Sequence, residues 1–101
     1  MNKNLLRQAQ EIQQKLAQAQ EKLQEEAVEG SAGGGVVTVT VSGKQRIQSV
    51  KIDPAAVDPE DMSMLEDMVV AAVNDGMEKL QKLMSSRLGA ITGGMNIPGF
   101  M

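Results

Sequence analysis

Val36-Val37-Thr38-Val39-Thr40-Val41-Ser42, then Gly43-Lys44, then Gln45-Arg46-Ile47-Gln48-Ser49-Val50-Lys51-Ile52 is the stretch on which the fold turns. Strict alternation puts Val37, Val39 and Val41 on one side, and Val36, Thr38, Thr40 and Ser42 on the other. That is the pattern of a half-buried strand. Gly43-Lys44 supplies a tight turn, and the chain returns as a second strand. Val50 and Ile52 share a face but Ile47 is out of phase with them, which calls for a bulge or burial on both sides. Asp53-Pro54 ends the strand.

On the N-terminal side lies Ala27-Val28-Glu29-Gly30-Ser31-Ala32-Gly33-Gly34-Gly35, with four glycines. Glycine there ends a helix and turns the chain, with room for a short strand around Ala27 to Ser31 before the turn. Before it, residues 3–26 read as a long helix. Leu5, Ala9, Ile12, Leu16, Ala19 and Leu23 alternate steps of four and three, the seam of a coiled coil. Gln, Glu, Lys and Ala fill the remaining positions and favour helix. A seam so rich in alanine needs a partner surface.

On the C-terminal side, Asp58-Pro59-Glu60-Asp61 reads as a helix start, with Asp58 as N-cap and Pro59 at the first helical position. The helix is expected to run to about Leu88. Leu65, Met68, Val69, Ala72, Val73, Gly76, Leu80, Leu83 and Met84 form its apolar stripe. From Met68 to Val73 the turn is apolar all round, which asks for burial on more than one side. Leu65, Met68, Val69, Ala72, Val73 and Gly76 are therefore the expected core of a dimer. Gly76 costs about 1 kcal/mol in mid-helix relative to alanine, and close backbone packing would account for it. The expected class is α+β: long helix, two- to three-stranded antiparallel sheet, long helix. Residues 1–88 form one dimerising domain, and 89–101 a Gly- and Pro-containing flexible tail.

The chain has 101 residues, one aromatic (Phe100), no cysteine and no histidine. One domain is all that length allows, and a core without aromatics is thin, so self-association is expected. Disulfides, zinc–thiolate and histidine metal sites, thiol nucleophiles and Ser-His chemistry are excluded. The Gly-rich run lies between a helix and a strand, the wrong context for a dinucleotide fingerprint, and Gly43-Lys44 lacks the rest of a phosphate loop. Glu60, Asp61, Glu66, Asp67, Asp75 and Glu78 read as a solvated acidic face, not a metal site. No catalytic machinery, cofactor or small-molecule substrate is expected. No apolar run is long enough for a membrane span and no signal peptide is evident, so a cytoplasmic location is the default.

Charge is uneven although the net is −3. Residues 58–78 hold seven acids and no base, whereas Lys79, Lys82 and Arg87 follow with no acid among residues 79–88. Lys3, Arg7 and Lys15 outnumber Glu11 at the N-terminus, and Arg7, Lys15 and Lys22 run along the first helix. Such charges are either a solvated face or a phosphate grip. Lys3, Arg7, Lys15, Lys79, Lys82 and Arg87 are the candidate contacts. Without aromatics to stack on, duplex DNA is the favoured nucleic acid over single strands, held through its backbone. The rival reading makes the seam of the first helix a protein interaction module, with only an indirect role at DNA.

Leu5-Leu6-Arg7-Gln8-Ala9-Gln10, Val28-Glu29-Gly30-Ser31-Ala32-Gly33-Gly34-Gly35, Val50-Lys51-Ile52-Asp53-Pro54, Leu65-Glu66-Asp67, Ala71-Ala72-Val73-Asn74-Asp75, Thr92-Gly93-Gly94 and Pro98-Gly99 occur in that order. In order and spacing the chain resembles the YbaB/EbfC family of bacterial nucleoid-associated proteins over nearly its whole length. Gly76 departs from the family, which usually has alanine there. The resemblance implies a cytoplasmic, nucleoid-associated homodimer with a sheet-and-helix core and long helices projecting like tweezers. It implies a first strand near residues 27–32 and binding to DNA that alters its conformation, with effects on gene expression and nucleoid organisation. It places DNA contacts on the projecting helices, where Arg7 and Lys15, and Lys79, Lys82 and Arg87, stand in this chain.

Overall fold

The structure, a computed structural model, describes residues 3–92. Helix α1 spans Lys3–Glu25, strands β1, β2 and β3 span Ala27–Ala32, Val37–Ser42 and Ile47–Ile52, and helix α2 spans Met62–Thr92. The strands form one antiparallel sheet in the order β1-β2-β3. The molecule is elongated, 69 × 23 × 16 Å.

The alternation in β2 decides the core. Val37, Val39 and Val41 are 0% exposed and pack with Leu65, Ala72 and Leu80 of α2. In β3, Thr40 opposes Ser49 while Val41 opposes Ile47, so Gln48 is the extra residue of a bulge. The bulge returns Ile47 to the side of Val50 and Ile52, which resolves its phase.

Two glycines let α2 lie directly on β1. A Cβ on Gly30 would sit 2.2 Å from both the Ala72 carbonyl oxygen and the Gly76 nitrogen. A Cβ on Gly76 would meet a Val41 methyl at 2.8 Å. The mid-helix glycine is therefore explained by close approach to the protomer's own sheet. Gly43 does the same at the base of α1, where a Cβ would fall 1.6 Å from the Leu23 carbonyl oxygen. Its N–H donates to the Glu26 carbonyl at 2.9 Å, tying the β2–β3 turn to the end of α1.

The turns differ in detail from expectation. Gly33, Gly34 and Gly35 all have positive φ, a run that only glycine adopts readily. In the β2–β3 turn, however, the left-handed residue is Gln45, at φ 62°, and not Gly43. Asp58 is not the N-cap of α2. Its carboxylate accepts the Glu60 N–H and its carbonyl the Asp61 N–H, closing a turn around Pro59. Asp61 caps instead, accepting from the Met64 N–H at 3.3 Å and the Ser63 hydroxyl at 3.1 Å. At its other end α2 passes Leu88 and continues through Gly89 to Thr92. Of the stretch expected to be a flexible tail, residues 89–92 are thus helical, and 93–101 lie outside the described residues.

The two sheet edges are treated differently. Along β1, the Asp75 carboxylate accepts the Ser31 N–H at 3.0 Å, and the Lys79 ammonium donates to the Glu29 carbonyl at 3.2 Å. Two side chains of α2 thus occupy backbone groups that another strand would need. Along β3 no such cover exists among the described residues. The α2 helix packs on β1 and β2, leaving Val50 and Ile52 exposed although they share the face of Val37 and Val39.

Candidate nucleic-acid interface

The antiparallel run of α1 against the C-terminal part of α2 forms a cleft of about 270 Å³. Lys15, Gln18, Ala19, Lys22, Leu23 and Glu26 line one side, with Arg87 and Ile91 opposite. Heptad spacing explains why Lys15 and Lys22 face the same way. The structure therefore brings two of the expected residues, Lys15 and Arg87, into one place and adds Lys22. Glu26 pairs with Arg87 in this cleft through one carboxylate oxygen, while its other oxygen is buried without a partner.

The remaining four expected residues do not join them. Lys3 and Arg7 stand toward the free end of α1, fully on the surface. Lys79 and Lys82 stand on the Asp75 side of α2, toward the β1 edge, about 80° and about 140° around the helix from Arg87. Lys79 is engaged with Asp75 at 3.2 Å as well as with the Glu29 carbonyl. The Asp75 carboxyl is held below its ordinary value of 3.8, chiefly by the Ser31 N–H and next by Lys79. Lys79 and Arg87 thus form ion pairs within the chain, Lys82 attracts the Asp75 carboxylate at longer range, and Lys3, Arg7 and Lys15 have no ion pair among the described residues.

Three further cations, Lys44 and Arg46 in the β2–β3 connection and Lys51 in β3, stand singly in the sequence and form no charge run. Lys44 and Arg46 line a shallow recess beside the β2–β3 turn, with Gln24, Ser42, Ile47 and Gln48. The signal that finds them is register, which sequence alone does not supply.

The six α2 residues expected to make a dimer core are divided by the structure. Leu65, Ala72 and Gly76 are buried within the protomer. Met68 turns toward Gly33, and Val69 and Val73 are half-buried. An apolar turn cannot tell a sheet of its own chain from a second copy, which is why sequence grouped them. What stays uncovered is the flank of α2 toward β3. Val70 is 58% exposed, and Met77 borders a cleft with Gln45 of the turn. Among the described residues no cluster of acids could hold a metal ion, and no helix is long and apolar enough to cross a membrane.

Comparison with known proteins agrees with the fold and extends it. The model of the YbaB/EbfC DNA-binding family matches residues 1–95. A nucleoid-associated protein of Syntrophobacter fumaroxidans is 51% identical over 96 residues, covering 95% of this chain and 87% of that protein. One of Moorella thermoacetica is 49% identical over 100 residues, covering 99% and 95%. A crystal structure of an uncharacterised Helicobacter pylori protein, HP0035, superposes with a TM-score of 0.75 over 92% of this chain and 99% of that one. At 21% identity that likeness speaks to the fold alone.

Proposed function

The chain belongs to the YbaB/EbfC DNA-binding family, and from that premise we propose that it acts at the nucleoid as a homodimer that binds duplex DNA with little sequence preference and changes its path. The observation that carries this reading is the cleft between α1 and α2, where Lys15, Lys22 and Arg87 converge. Lys3 and Arg7 continue the same charge along the projecting arm. Cations of this kind meet phosphate oxygens, which fix position without reading bases. The acids of residues 58–78 keep the remainder of α2 away from the polyanion. Relatives named nucleoid-associated proteins support the place of action.

The dimer rests on a trough between α2 and β3. Ile47, Val50 and Ile52 on one side, with Val70, Val73 and Met77 on the other, are apolar and wholly or half exposed. A second copy seated there would bury them at roughly 25 cal/mol per Å². In this reading Val73 forms part of one wall, while Leu65, Ala72 and Gly76, buried within the protomer, support it from beneath.

Anisotropy titrations of the full chain on two unrelated duplexes across a salt series test the DNA reading. Affinity should fall linearly on log–log axes for both. Replacing Lys15, Lys22 and Arg87 with alanine should weaken both equally and flatten the slope by about 2–3, at about 0.9 per contact. Affinity that ignores salt, or a variant that weakens one duplex only, overturns it.

A second reading has its own observation. Leu5 is 61% exposed at the far end of α1, an uncovered start to the seam. Recruitment of another helical protein would then survive loss of the cations but not Leu5→Ser with Leu6→Ser.

A further inference from the structure

Three cations outside the arms have no acid partner among the described residues: Lys44, Arg46 and Lys51. The register puts Arg46 and Lys51 on one face, toward opposite ends of β3, and Lys44 stands beside Arg46 in the turn. Thr38 opposes Lys51, Thr40 opposes Ser49, and the Ser42 N–H donates to the Arg46 carbonyl at 2.8 Å. Successive strand residues alternate faces, so Thr38, Thr40, Ser49, Lys51 and Arg46 share the face opposite α2. That face carries hydroxyls between its cations and no large apolar group. Within the three strands the one acid on it is Glu29, across from Thr40 on the far strand. The turn that carries Lys44 is fixed at both ends. Gly43 is bonded to the base of α1, and the Gln45 amide lies 4.0 Å from the Met84 sulfur of α2.

We propose that this outer sheet face, with Lys44, Arg46 and Lys51 at its border, is a second surface for the phosphate backbone of duplex DNA. It rests on the duplex-binding reading above. The chemistry is that of backbone contacts generally, where lysine and arginine supply charge and Ser and Thr hydroxyls donate to phosphate oxygens. The absence of aromatics from the face disfavours single strands. The surface is separate from the cleft. Gln24, which lines the recess of Lys44 and Arg46, follows Lys22 by two residues and so lies about 200° around α1. A duplex that touches both the cleft and the sheet face has to curve around the base of α1, which gives the family's DNA-binding surface a way to impose shape.

Lysine footprinting of the wild-type chain tests the proposal. Acetylation of each lysine by an N-hydroxysuccinimide ester is measured by mass spectrometry with and without saturating duplex. Lys44 and Lys51 should be protected several-fold, together with Lys15 and Lys22. Protection of Lys15 and Lys22 with unchanged Lys44 and Lys51 overturns the proposal and leaves the arm reading standing. Protection of Lys44 and Lys51 alone supports the sheet face and overturns the arms. No protection anywhere overturns both. A variant with Lys44, Arg46 and Lys51 all changed to alanine should then show a salt slope flatter by about 2–3, and an unchanged slope counts against the surface.

Discussion

The sheet with α2 and the arm formed by α1 are built on different terms. In the first, every inward valine of β2 is fully buried, and two glycines bring helix backbone against strand backbone. In the second, Leu23 is buried, Ile12, Leu16 and Ala19 are half-covered, and Leu5 and Leu6 lie open. Burial fixes a unique structure where it is dense. Where it is sparse, side chains are left exposed, and four of the ten lysines and arginines, Lys3, Arg7, Lys15 and Lys22, stand there.

The widest contrast should come from adding one methyl group. Gly30→Ala drives a Cβ into the backbone of α2 and should cost about 3 kcal/mol or more, read as a large fall in Tm. Gly89→Ala, in open helix, should instead raise stability slightly, by about 0.5–1 kcal/mol. If both behave alike, the close approach of Gly30 to Ala72 and Gly76 is wrong. Truncation gives the next contrast. Val39→Ala should cost about 2 kcal/mol from lost burial and the cavity left. Leu5→Ala should change stability by less than about 0.5 kcal/mol.

Val70→Asp tests the trough without touching the core. It should leave circular dichroism and monomer folding intact while shifting sedimentation from dimer to monomer. A dimer that persists places the interface elsewhere.

Smaller effects probe the border between the two regions. Folding lowers the Asp75 carboxyl below 3.8, so its contribution is present above that pH and is lost as pH falls through the folded value. Asp75→Asn should therefore remove part of the stability lost on acidification below about pH 4, and leave the curve above pH 6 parallel to the wild type. Least of all, breaking the half-exposed Glu26–Arg87 pair with Glu26→Gln should change Tm by the equivalent of less than about 1 kcal/mol.

The strand alternation of Val37, Val39 and Val41, the misfit of Ile47 and the tension at Gly76 are local signals, and each has a local structural answer. The sequence points to Asp58 as the N-cap of α2, but Asp58 closes the turn around Pro59 and Asp61 caps, a choice made by backbone geometry three residues on. The dimer-core residues were grouped because a helix stripe does not say which surface covers it. The cations were legible by type but not by company. That Arg87 meets Lys15 across a cleft while Lys79 is held by Asp75 depends on the antiparallel placement of α1 and α2. That Arg46 and Lys51 share a face follows only from β-register, and that Lys44 stands beside Arg46 only from the fold of the turn.

The carboxylate and ammonium that cover β1 have a last consequence. A strand-adding neighbour finds one rim closed and one open, so growth has a single direction. Two copies joined along their open rims would present closed borders on both outer sides, and a third would have nowhere to begin. By engaging the Ser31 N–H and the Glu29 carbonyl, Asp75 and Lys79 disfavour strand addition along β1, from a helix that also carries the core.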